Sequence, residues 1–405
     1  MDLAGENGAH TTADRQVPSA YLHLPFCDYH CGYCHFTVEA GRDYLIDEYL
    51  RALEIELSWL KEARRVETVF VGGGTPTYLS PLQLERLLNL VRKSFVFGDR
   101  YEWTLEANPS DLCEEKLALL SEYGVNRLSL GVQSFDDEKL ALLERNHNSD
   151  LVEKGVALAK KYVPNISLDL IFATPNESLQ TWQNDLRRAV ALSPLHLSTY
   201  GLTFEKGTAF WGRRERKELT ETAEDLFIEM YLEARHFLKD RGYTHYEISN
   251  FAQNQKKCFH NIRCWQGEEY YAIGAGACGY LDSVRYTNNR STRGYMKAVL
   301  EGKDPIVSKE IISPIDRIIE KIVFGLRRLD GLEITPLFAE LEKCSNGQPV
   351  EVNGAKVRKR LEPLLERYRH LGWLQESFGK LSFTEEGILV SDTLLAEMLA
   401  AGTAG

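Results

Sequence analysis

The sequence has no excess of basic residues and no long hydrophobic run. Lysine and arginine together number 48 against 59 aspartates and glutamates, which gives the 405 residues a formal net charge of −11. Because an acidic chain without basic blocks is repelled by phosphate groups, binding to nucleic acid or to an anionic membrane is not expected. No apolar stretch reaches the roughly 20 residues that a membrane-spanning helix needs. These absences favour a soluble globular protein.

A disulfide framework and an export signal are also missing. The eight cysteines are too few and too scattered for the framework of a small secreted domain. Residues 1–17 contain no apolar core of the kind that a secretory signal has, and we expect them to form a disordered tail. The sequence therefore predicts a reducing, cytoplasmic location, in which Cys27, Cys31 and Cys34 form one thiol cluster with another role.

Short β-rich runs alternate with amphipathic helical stretches from about residue 18 to residue 280. The predicted strands are 20–24, 68–71, 103–107, 127–131, 166–172 and 196–202. The predicted helices include 44–60, 82–95, 115–123, 179–192 and a longer one at 220–241. Strands separated by helices indicate a parallel β/α architecture, and six such units in a row favour a partial or full β/α barrel over an open sheet.

The composition changes near residues 285–310, and we place a domain boundary at residue 290. The remainder predicts helices at 314–329, 334–343 and 355–371, a hairpin at 374–383 and a last helix at 386–399. This order resembles a winged helix, but it lacks a basic recognition helix, which favours a protein-interaction or lid role over DNA binding. The predicted fold class is therefore α/β, with a core domain at 18–290 and a smaller α+β domain at 291–405.

The thiol cluster follows the first predicted strand with the spacing C-x3-C-x2-C. Three thiolates on a compact loop can hold three irons of a [4Fe–4S] cube and leave the fourth iron open to an external chelating group. A structural zinc site is one alternative, with His30 or His35 as the fourth ligand. Three unrelated buried cysteines are the other.

Polar and glycine-rich motifs stand where four further predicted strands end. They are Gly72-Gly73-Gly74-Thr75, Glu106-Ala107-Asn108-Pro109, Gln133-Ser134-Phe135 and Asp169. Any one of them alone is typical of a helix cap or of a satisfied polar group in the core. Because the carboxyl ends of barrel strands converge on one mouth, four successive motifs of this kind indicate a ligand site there.

The C-x3-C-x2-C loop resembles the hallmark of the radical SAM superfamily. In that superfamily S-adenosylmethionine chelates the open iron through its amino and carboxylate groups, and an electron from the cluster cleaves the sulfonium to a deoxyadenosyl radical. The strand-end motifs extend the resemblance, over roughly residues 18–400, to the subgroup that contains oxygen-independent coproporphyrinogen III oxidase and the heme chaperone HemW.

The resemblance implies a partial (β/α) barrel and a set of cofactor contacts. It assigns the [4Fe–4S] cluster to Cys27, Cys31 and Cys34. It assigns S-adenosylmethionine to Tyr21, Tyr33, Gly73, Gly74, Thr75, Glu106, Gln133, Arg145 and Asp169. A carboxylate at Glu106 or Asp169 suits a ribose hydroxyl pair or an ammonium group, and Arg145 suits a carboxylate.

Two further segments indicate the chaperone branch of the subgroup. The oxidase has a fourth cysteine two residues after the third, and here that position is Phe36. The segment Phe259-His260-Asn261-Ile262-Arg263-Cys264-Trp265 resembles the H-N-x-x-Y-W motif of HemW-like proteins, which makes His260 the leading candidate for an axial heme ligand. A histidine bonded to backbone in a core loop is the alternative. Cys264 departs from the usual tyrosine, and Cys278 stands where many members have histidine.

The resemblance implies a protein that binds the cluster, S-adenosylmethionine and heme and transfers heme to an acceptor protein. The acceptor is unidentified, and a membrane-associated acceptor contacted transiently is compatible with the resemblance. Two alternatives to heme transfer remain: the oxidative decarboxylation of a porphyrinogen, and another heme-directed radical reaction. No catalytic residue is assigned, and the question of enzyme or carrier stays open at this point.

Overall fold

The structure, a computed structural model, describes residues 17–344 and 353–403. The predicted tail at 1–17 lies outside the described residues except for Val17. The strands are β1 (Ser19–Leu24), β2 (Phe26–Cys27), β3 (Glu39–Ala40), β4 (Arg64–Gly73), β5 (Phe95–Ala107), β6 (Arg127–Gln133), β7 (Ile166–Phe172), β8 (His196–Gly201), β9 (Thr244–Glu247), β10 (Asn250–Ala252), β11 (Tyr270–Ile273), β12 (Cys278–Leu281), β13 (Val284–Asn288), β14 (Ile306–Ile311), β15 (Leu374–Ser377) and β16 (Lys380–Phe383). The helices are α1 (Ile46–Ser58), α2 (Pro81–Ser94), α3 (Glu114–Tyr123), α4 (Asp137–Leu142), α5 (Ser149–Ala159), α6 (Leu179–Ala191), α7 (Ala209–Glu215), α8 (Glu224–Lys239), α9 (Phe259–Trp265), α10 (Thr292–Leu300), α11 (Pro314–Leu326), α12 (Ile334–Lys343), α13 (Gly354–His370), α14 (Glu385–Leu389) and α15 (Ser391–Thr403).

One large sheet organises the chain. Its twelve strands have the order β14-β13-β12-β11-β1-β4-β5-β6-β7-β8-β10-β9. The seven strands from β11 to β8 pair in parallel, and antiparallel strands extend the sheet at both ends. The prediction of an α/β fold built on a parallel sheet is therefore confirmed, and each of the six predicted strands is present.

The parallel strands are buried because helices cover the sheet. Strand β7 has the sequence ISLDLIF, and all of it is buried except Asp169. A nearly continuous apolar run of this kind is typical of a strand that is covered on both faces. The half-buried Asp169, at the middle of the strand, interrupts this run.

The ends of the helices follow from local chemistry. Helix α2 begins at Pro81, and the preceding Ser80 forms a capping box with Gln83: the Gln83 N–H donates to Ser80 Oγ (3.4 Å) and the Ser80 N–H to Gln83 Oε1 (3.2 Å). Helix α3 ends at Gly124, whose φ of +83° is the left-handed conformation that favours glycine. These ends return the chain to the next strand in the same direction.

The carboxyl-terminal region contains helices α11 to α15 and the β15–β16 hairpin. Strand β14 joins the main sheet, which therefore continues to Ile311, beyond residue 290. The division into domains at residue 290 stays a prediction. In place of the single last helix predicted at 386–399, the structure has two helices, α14 and α15. Helix α14 packs closely at Gly387, where a Cβ atom would lie 1.9 Å from the Trp373 carbonyl oxygen. Helix α15 buries Leu394 and Met398.

Within residues 17–344 and 353–403, no helix is both long and apolar enough to span a membrane. The parallel sheet directs the carboxyl ends of β1, β4, β5, β6, β7 and β8 to one edge. The thiol loop follows β1 at that edge.

Candidate functional site

A cavity of about 360 Å³ lies at the carboxyl edge of the parallel strands. Its lining includes eleven of the thirteen residues that the sequence predicts for the site: Cys27, Cys31, Cys34, Tyr33, Gly73, Gly74, Thr75, Glu106, Gln133, Arg145 and Asp169. These residues come from the thiol loop, from the ends of four strands and from the segment after α4. The convergence that was expected from successive strand ends is therefore present.

The thiol loop is held from several sides. Its first cysteine belongs to β2, which pairs with β3 (Cys27 beside Ala40), and the Cys34 N–H donates to the Cys31 carbonyl oxygen at 3.0 Å. Gly32 packs so closely on Phe210 that a Cβ atom would lie 2.6 Å from its ring. The loop therefore returns its three cysteines to one cavity.

The thiols differ in their partners. Cys27 Sγ lies 3.4 Å from Thr75 Oγ1, and Arg145 Nη1 donates to Cys31 Sγ at 3.5 Å. Burial raises the pKa of Cys27 to about 12 and that of Cys34 to about 11. These two thiols are protonated at neutral pH when nothing binds them, so a metal cluster would bind with release of their protons.

The glycines at the end of β4 permit close approach to β1. Gly73 has a φ of +104°, and a Cβ atom there would lie 2.2 Å from the His23 ring. A Cβ atom on Gly74 would lie 2.6 Å from the Phe26 carbonyl oxygen. Side chains at these two positions would push β4 away from the thiol loop, so glycine is required by the packing.

Two carboxylates line the cavity. Glu106 Oε2 accepts a hydrogen bond from the Gly73 N–H (2.9 Å), and Asp169 Oδ2 accepts one from Ser129 Oγ (2.9 Å). Burial raises the pKa of Glu106 to about 7, and burial also raises the pKa of Asp169. The carboxylates would gain from a cationic or hydroxyl-bearing ligand, because each is only partly compensated by the protein.

Asn108 connects the cluster loop to the strand ends; it belongs to the second strand-end motif but was not among the predicted cofactor contacts. Its Nδ2 donates to Thr75 Oγ1 at 3.0 Å, and its Oδ1 accepts from Arg145 Nη2 at 2.5 Å. Arg145 Nη2 also donates to the Gly131 carbonyl oxygen at 2.8 Å, whereas its buried Nε has no hydrogen-bond partner. The position of Asn108 directly after a predicted strand was the signal that could have identified it.

Tyr21 lies behind the cavity wall rather than in it. Its hydroxyl is 3.0 Å from His23 Nδ1, and His23 Nε2 is 2.8 Å from the Thr37 carbonyl oxygen. Residues two apart on a strand point to the same face, so His23 is nearer the mouth and Tyr21 lies one layer below. Tyr21 therefore reaches the site through His23 and Gly73.

His260 lies at the other end of the sheet from the thiol loop. It is 5% exposed, its Nδ1 is 2.9 Å from Thr68 Oγ1, and its N–H donates to Glu102 Oε1 at 3.0 Å. Burial lowers its pKa to about 3, so the imidazole is neutral at physiological pH. Its assignment as a heme ligand stays a prediction.

The donor set suits a [4Fe–4S] cluster. In the described parts of the chain, no three His, Cys, Asp or Glu side chains are arranged around a single metal ion. A cube takes one thiolate on each of three irons, so the two observations are compatible. The unpartnered Nε of Arg145, which is buried at this cavity, is the kind of polar atom that a bound cofactor satisfies.

Comparison with known proteins gives consistent matches. Residues 21–189 match the family model described as the Radical SAM superfamily. The chain is 38% identical over 328 residues to the heme chaperone HemW of Lactococcus lactis, covering 81% of this chain and 86% of that protein. It is 36% identical over 321 residues to the heme chaperone HemW of Bacillus subtilis, covering 78% and 85%.

Among solved structures, the coproporphyrinogen III oxidase HemN of Escherichia coli, described as a radical SAM enzyme, has a TM-score of 0.81. The alignment covers 95% of this chain and 90% of that one at 22% sequence identity. At this identity the likeness shows a common fold.

Proposed function

Because this chain belongs to the HemW family of radical SAM proteins, we propose that it is a heme chaperone that holds a [4Fe–4S] cluster and S-adenosylmethionine and delivers heme to an acceptor protein. The observation that carries the proposal is the cavity in which three cysteines, and no fourth from position 36, meet the strand-end motifs. Phe36 is 57% exposed and stacks on His35 with ring centroids 5.1 Å apart. A fourth cysteine ligand is therefore not available at the position where the oxidase has one.

Cys27, Cys31 and Cys34 would hold the cluster, which supplies an open iron for S-adenosylmethionine and an electron when it is bound. The protein's own contribution is to keep the three thiols on one short loop. Thr75 and Arg145 contact Cys27 and Cys31, and both would stabilise sulfur in its thiolate form by donating hydrogen bonds.

The strand ends would orient S-adenosylmethionine. Gly73 and Gly74 line the cavity without a side chain, Glu106 and Asp169 offer carboxylates to hydroxyl or ammonium groups, and the Nε of Arg145 is free to bind a carboxylate. Gln133 contributes an amide, and its φ of +65° is a left-handed conformation that is rare for this residue.

The sequence-based assignment of heme iron to His260 is retained here as a separate proposal. Its Nδ1 is engaged with Thr68, which leaves Nε2 as the nitrogen for iron. His260→Ala should change the absorption spectrum of bound heme if this nitrogen is the ligand. An unchanged spectrum would remove the assignment.

The test of the proposed function is an anaerobic reconstitution. Protein that carries the cluster and S-adenosylmethionine should bind heme in a 1:1 ratio, release it to a heme-free acceptor such as an apo-cytochrome, and leave coproporphyrinogen III unchanged. Formation of protoporphyrinogen would contradict the carrier and support the oxidase. Failure to bind heme at all would contradict the proposal outright.

A further inference from the structure

A second and larger cavity lies at the opposite end of the sheet from the thiol loop. Its volume is about 800 Å³, and it is lined by the amino-terminal residues of β4, by β5, by the segment after α9 and by α11. Arg65 in this cavity and Gly73 at the thiol site are eight residues apart on β4, which corresponds to roughly 26 Å at 3.3 Å per residue. The two cavities are therefore separate sites.

The second cavity carries positive charge without partners in a chain that is acidic overall. Its charged lining residues are Arg65, Glu67, Asp99, Arg100, Arg263, Glu268, Glu269, Arg317 and Lys321. Within the described ranges, Arg65, Arg100 and Lys321 have no ion-pair partner. The guanidinium of Arg65 extends over Gly98, and the Lys321 side chain extends over Gly267.

The other cations of this cavity are engaged. Arg263 pairs with both Glu67 and Glu268, and Arg317 Nη2 lies 3.4 Å from Glu340 Oε1. Charges that are already paired offer little to a ligand, so the three unpartnered cations define the part of the cleft that would attract carboxylates.

An aromatic cavity of about 220 Å³ adjoins the charged one. The two share Gly267, Glu268, Tyr280 and Arg317, and the smaller is also lined by Cys264, Trp265, Tyr270 and Phe324. The rings of Trp265 and Phe324 are 6.4 Å apart and join α9 to α11. The smaller cavity therefore holds the aromatic rings together with the Arg285–Glu320 ion pair, and the larger cavity holds the three unpartnered cations together with four carboxylates.

One donor in the aromatic half has no acceptor. Trp265 Nε1 is buried and has no hydrogen-bond partner. Buried polar groups are nearly always satisfied, so this indole N–H indicates a missing ligand in the cleft.

We infer that this combined cleft is the seat of heme, with the macrocycle in the aromatic half and the two propionates on Arg65, Arg100 and Lys321. The inference rests on the proposed function for the identity of the ligand. Heme is a flat apolar ring with two carboxylates on one edge, and the cleft places the aromatic rings in one cavity and the unpartnered cations in the other. The thiol cavity, at about 360 Å³, already has a cluster and S-adenosylmethionine to accommodate.

Helix α9 connects this cleft to the segment that the sequence singled out. His260, which is fixed by Thr68 and Glu102, lies one helical turn before Arg263 and Cys264, which line the charged and the aromatic cavity. Because His260 lines neither cavity, heme in this seat and the ligation of iron by His260 are alternatives.

The test compares hemin with hemin dimethyl ester, in which both propionates are capped. The triple variant R65Q/R100Q/K321Q should bind hemin at least about tenfold more weakly than the wild type and bind the ester with the wild-type affinity. The control variant K154Q/K297Q/K359Q loses the same three positive charges at exposed positions outside the cleft and should bind both ligands normally. Binding would be followed by the change in heme absorbance during titration.

The outcomes separate the two proposals. Equal hemin affinity of the triple variant and the wild type would overturn the heme seat and leave the chaperone function standing. A wild type that does not bind hemin would overturn the function itself. Thermal unfolding and cluster absorbance report whether the triple variant is folded. If it is not, the single variants R65Q and R100Q should each show a smaller loss for hemin alone, and no loss in either would overturn the seat.

Discussion

At the scale of single residues, the three cysteines of the thiol loop are not equivalent to the other five. Cys31 is buried and receives a hydrogen bond from Arg145, whereas Cys113 is exposed. All eight are unpaired in the described structure, so redox state does not distinguish them. Their surroundings do, because only Cys27, Cys31 and Cys34 line the cavity at the carboxyl edge of the parallel strands.

Replacement of Cys31 should therefore remove the cluster selectively. We expect Cys31→Ser to lose the visible absorbance and most of the iron of the reconstituted protein, because a serine hydroxyl does not replace a thiolate on iron. Cys113→Ser is the matched control and should retain both. Iron analysis after anaerobic reconstitution is the measurement, and unchanged iron in Cys31→Ser would refute the cluster assignment.

Glu106 should make stability depend on pH. Burial raises its pKa in the folded protein to about 7, against 4.5 for an ordinary glutamate. As pH rises, the unfolded state therefore releases this proton before the folded state does. The free energy of unfolding should then fall as pH rises from about 4.5 to 7, by about 1–3 kcal/mol. Glu106→Gln, which cannot titrate, should remove this part of the decline.

Urea unfolding of the cofactor-free protein at pH 5, 6 and 8 measures the effect of Glu106. Glu138→Gln provides the control, because Glu138 is exposed and should leave the decline as in the wild type. A decline that is the same in Glu106→Gln and the wild type would show that other carboxyls account for it. Glu56 and Glu247, whose pKa values burial also raises to about 7, would then be examined.

At the scale of elements, the end of β4 decides the shape of the thiol site. Two requirements act on Gly73: a left-handed backbone and a space that the His23 ring fills. The hydrophobic pattern predicted the strand at 68–71, and the glycine run 72–74 stands directly after it in the sequence. It could not predict the contact with β1, which depends on how the two strands pair.

Gly73→Ala should damage both the fold and the cofactor site. The added methyl would meet the His23 ring at 2.2 Å, so we expect a loss of stability of more than about 1 kcal/mol and weaker binding of S-adenosylmethionine. Gly242→Ala is the matched control: its φ is +80° but no atom lies within 4 Å of an added Cβ, so it isolates the backbone strain. Equal losses in the two variants would contradict the steric argument.

The secondary structure was largely predictable where the hydrophobic period was long. Helices α1, α2, α3, α6 and α8 and strands β1, β4, β6, β7 and β8 were predicted within a few residues of their bounds. Strand β5 was predicted at its carboxyl end, but it begins at Phe95, eight residues before the predicted start, and β11 was not predicted. Several elements were not identified. Helix α4, between β6 and β7, has six residues and is too brief for a clear period, and α5 was also missed. Strands β9 to β14 have three to six residues, and all of them except β11 pair only in antiparallel. Such strands are stabilised by neighbours that are distant in sequence.

At the scale of the whole molecule, the sheet keeps the thiol site and the proposed heme seat at opposite ends. The thiol site uses the carboxyl ends of the strands, and the second cleft uses their amino ends together with α11. Helix α11 lies beyond the predicted domain boundary, so the second cleft requires both parts of the chain. A ligand there would hold α11 against the barrel.

Heme binding should therefore not require the cluster. We expect Cys31→Ser, which lacks the cluster, to bind hemin with an affinity within about threefold of the wild type, because the two sites are roughly 26 Å apart. Titration of both proteins with hemin under anaerobic conditions checks this expectation. A loss of affinity of tenfold or more would indicate that heme and cluster share one site, and it would contradict the separate seat.

The sequence by itself determined the chemistry of the thiol site. The spacing of three cysteines is a local property, and alternation of strands and helices determines that successive strand ends meet at one edge. These two facts account for the thiol loop and the strand-end motifs, and the family resemblance added Tyr33 and Arg145; eleven of the thirteen predicted residues line one cavity.

Only the tertiary structure decided what lies outside that cavity. Tyr21 and His260 are separated from it because the direction of a side chain depends on the layer of the barrel and the face of the helix that carry it. The second cleft brings together residues from Pro18 to Lys321. No local pattern joins them, since their proximity results from the packing of α9 and α11 against the amino end of the sheet.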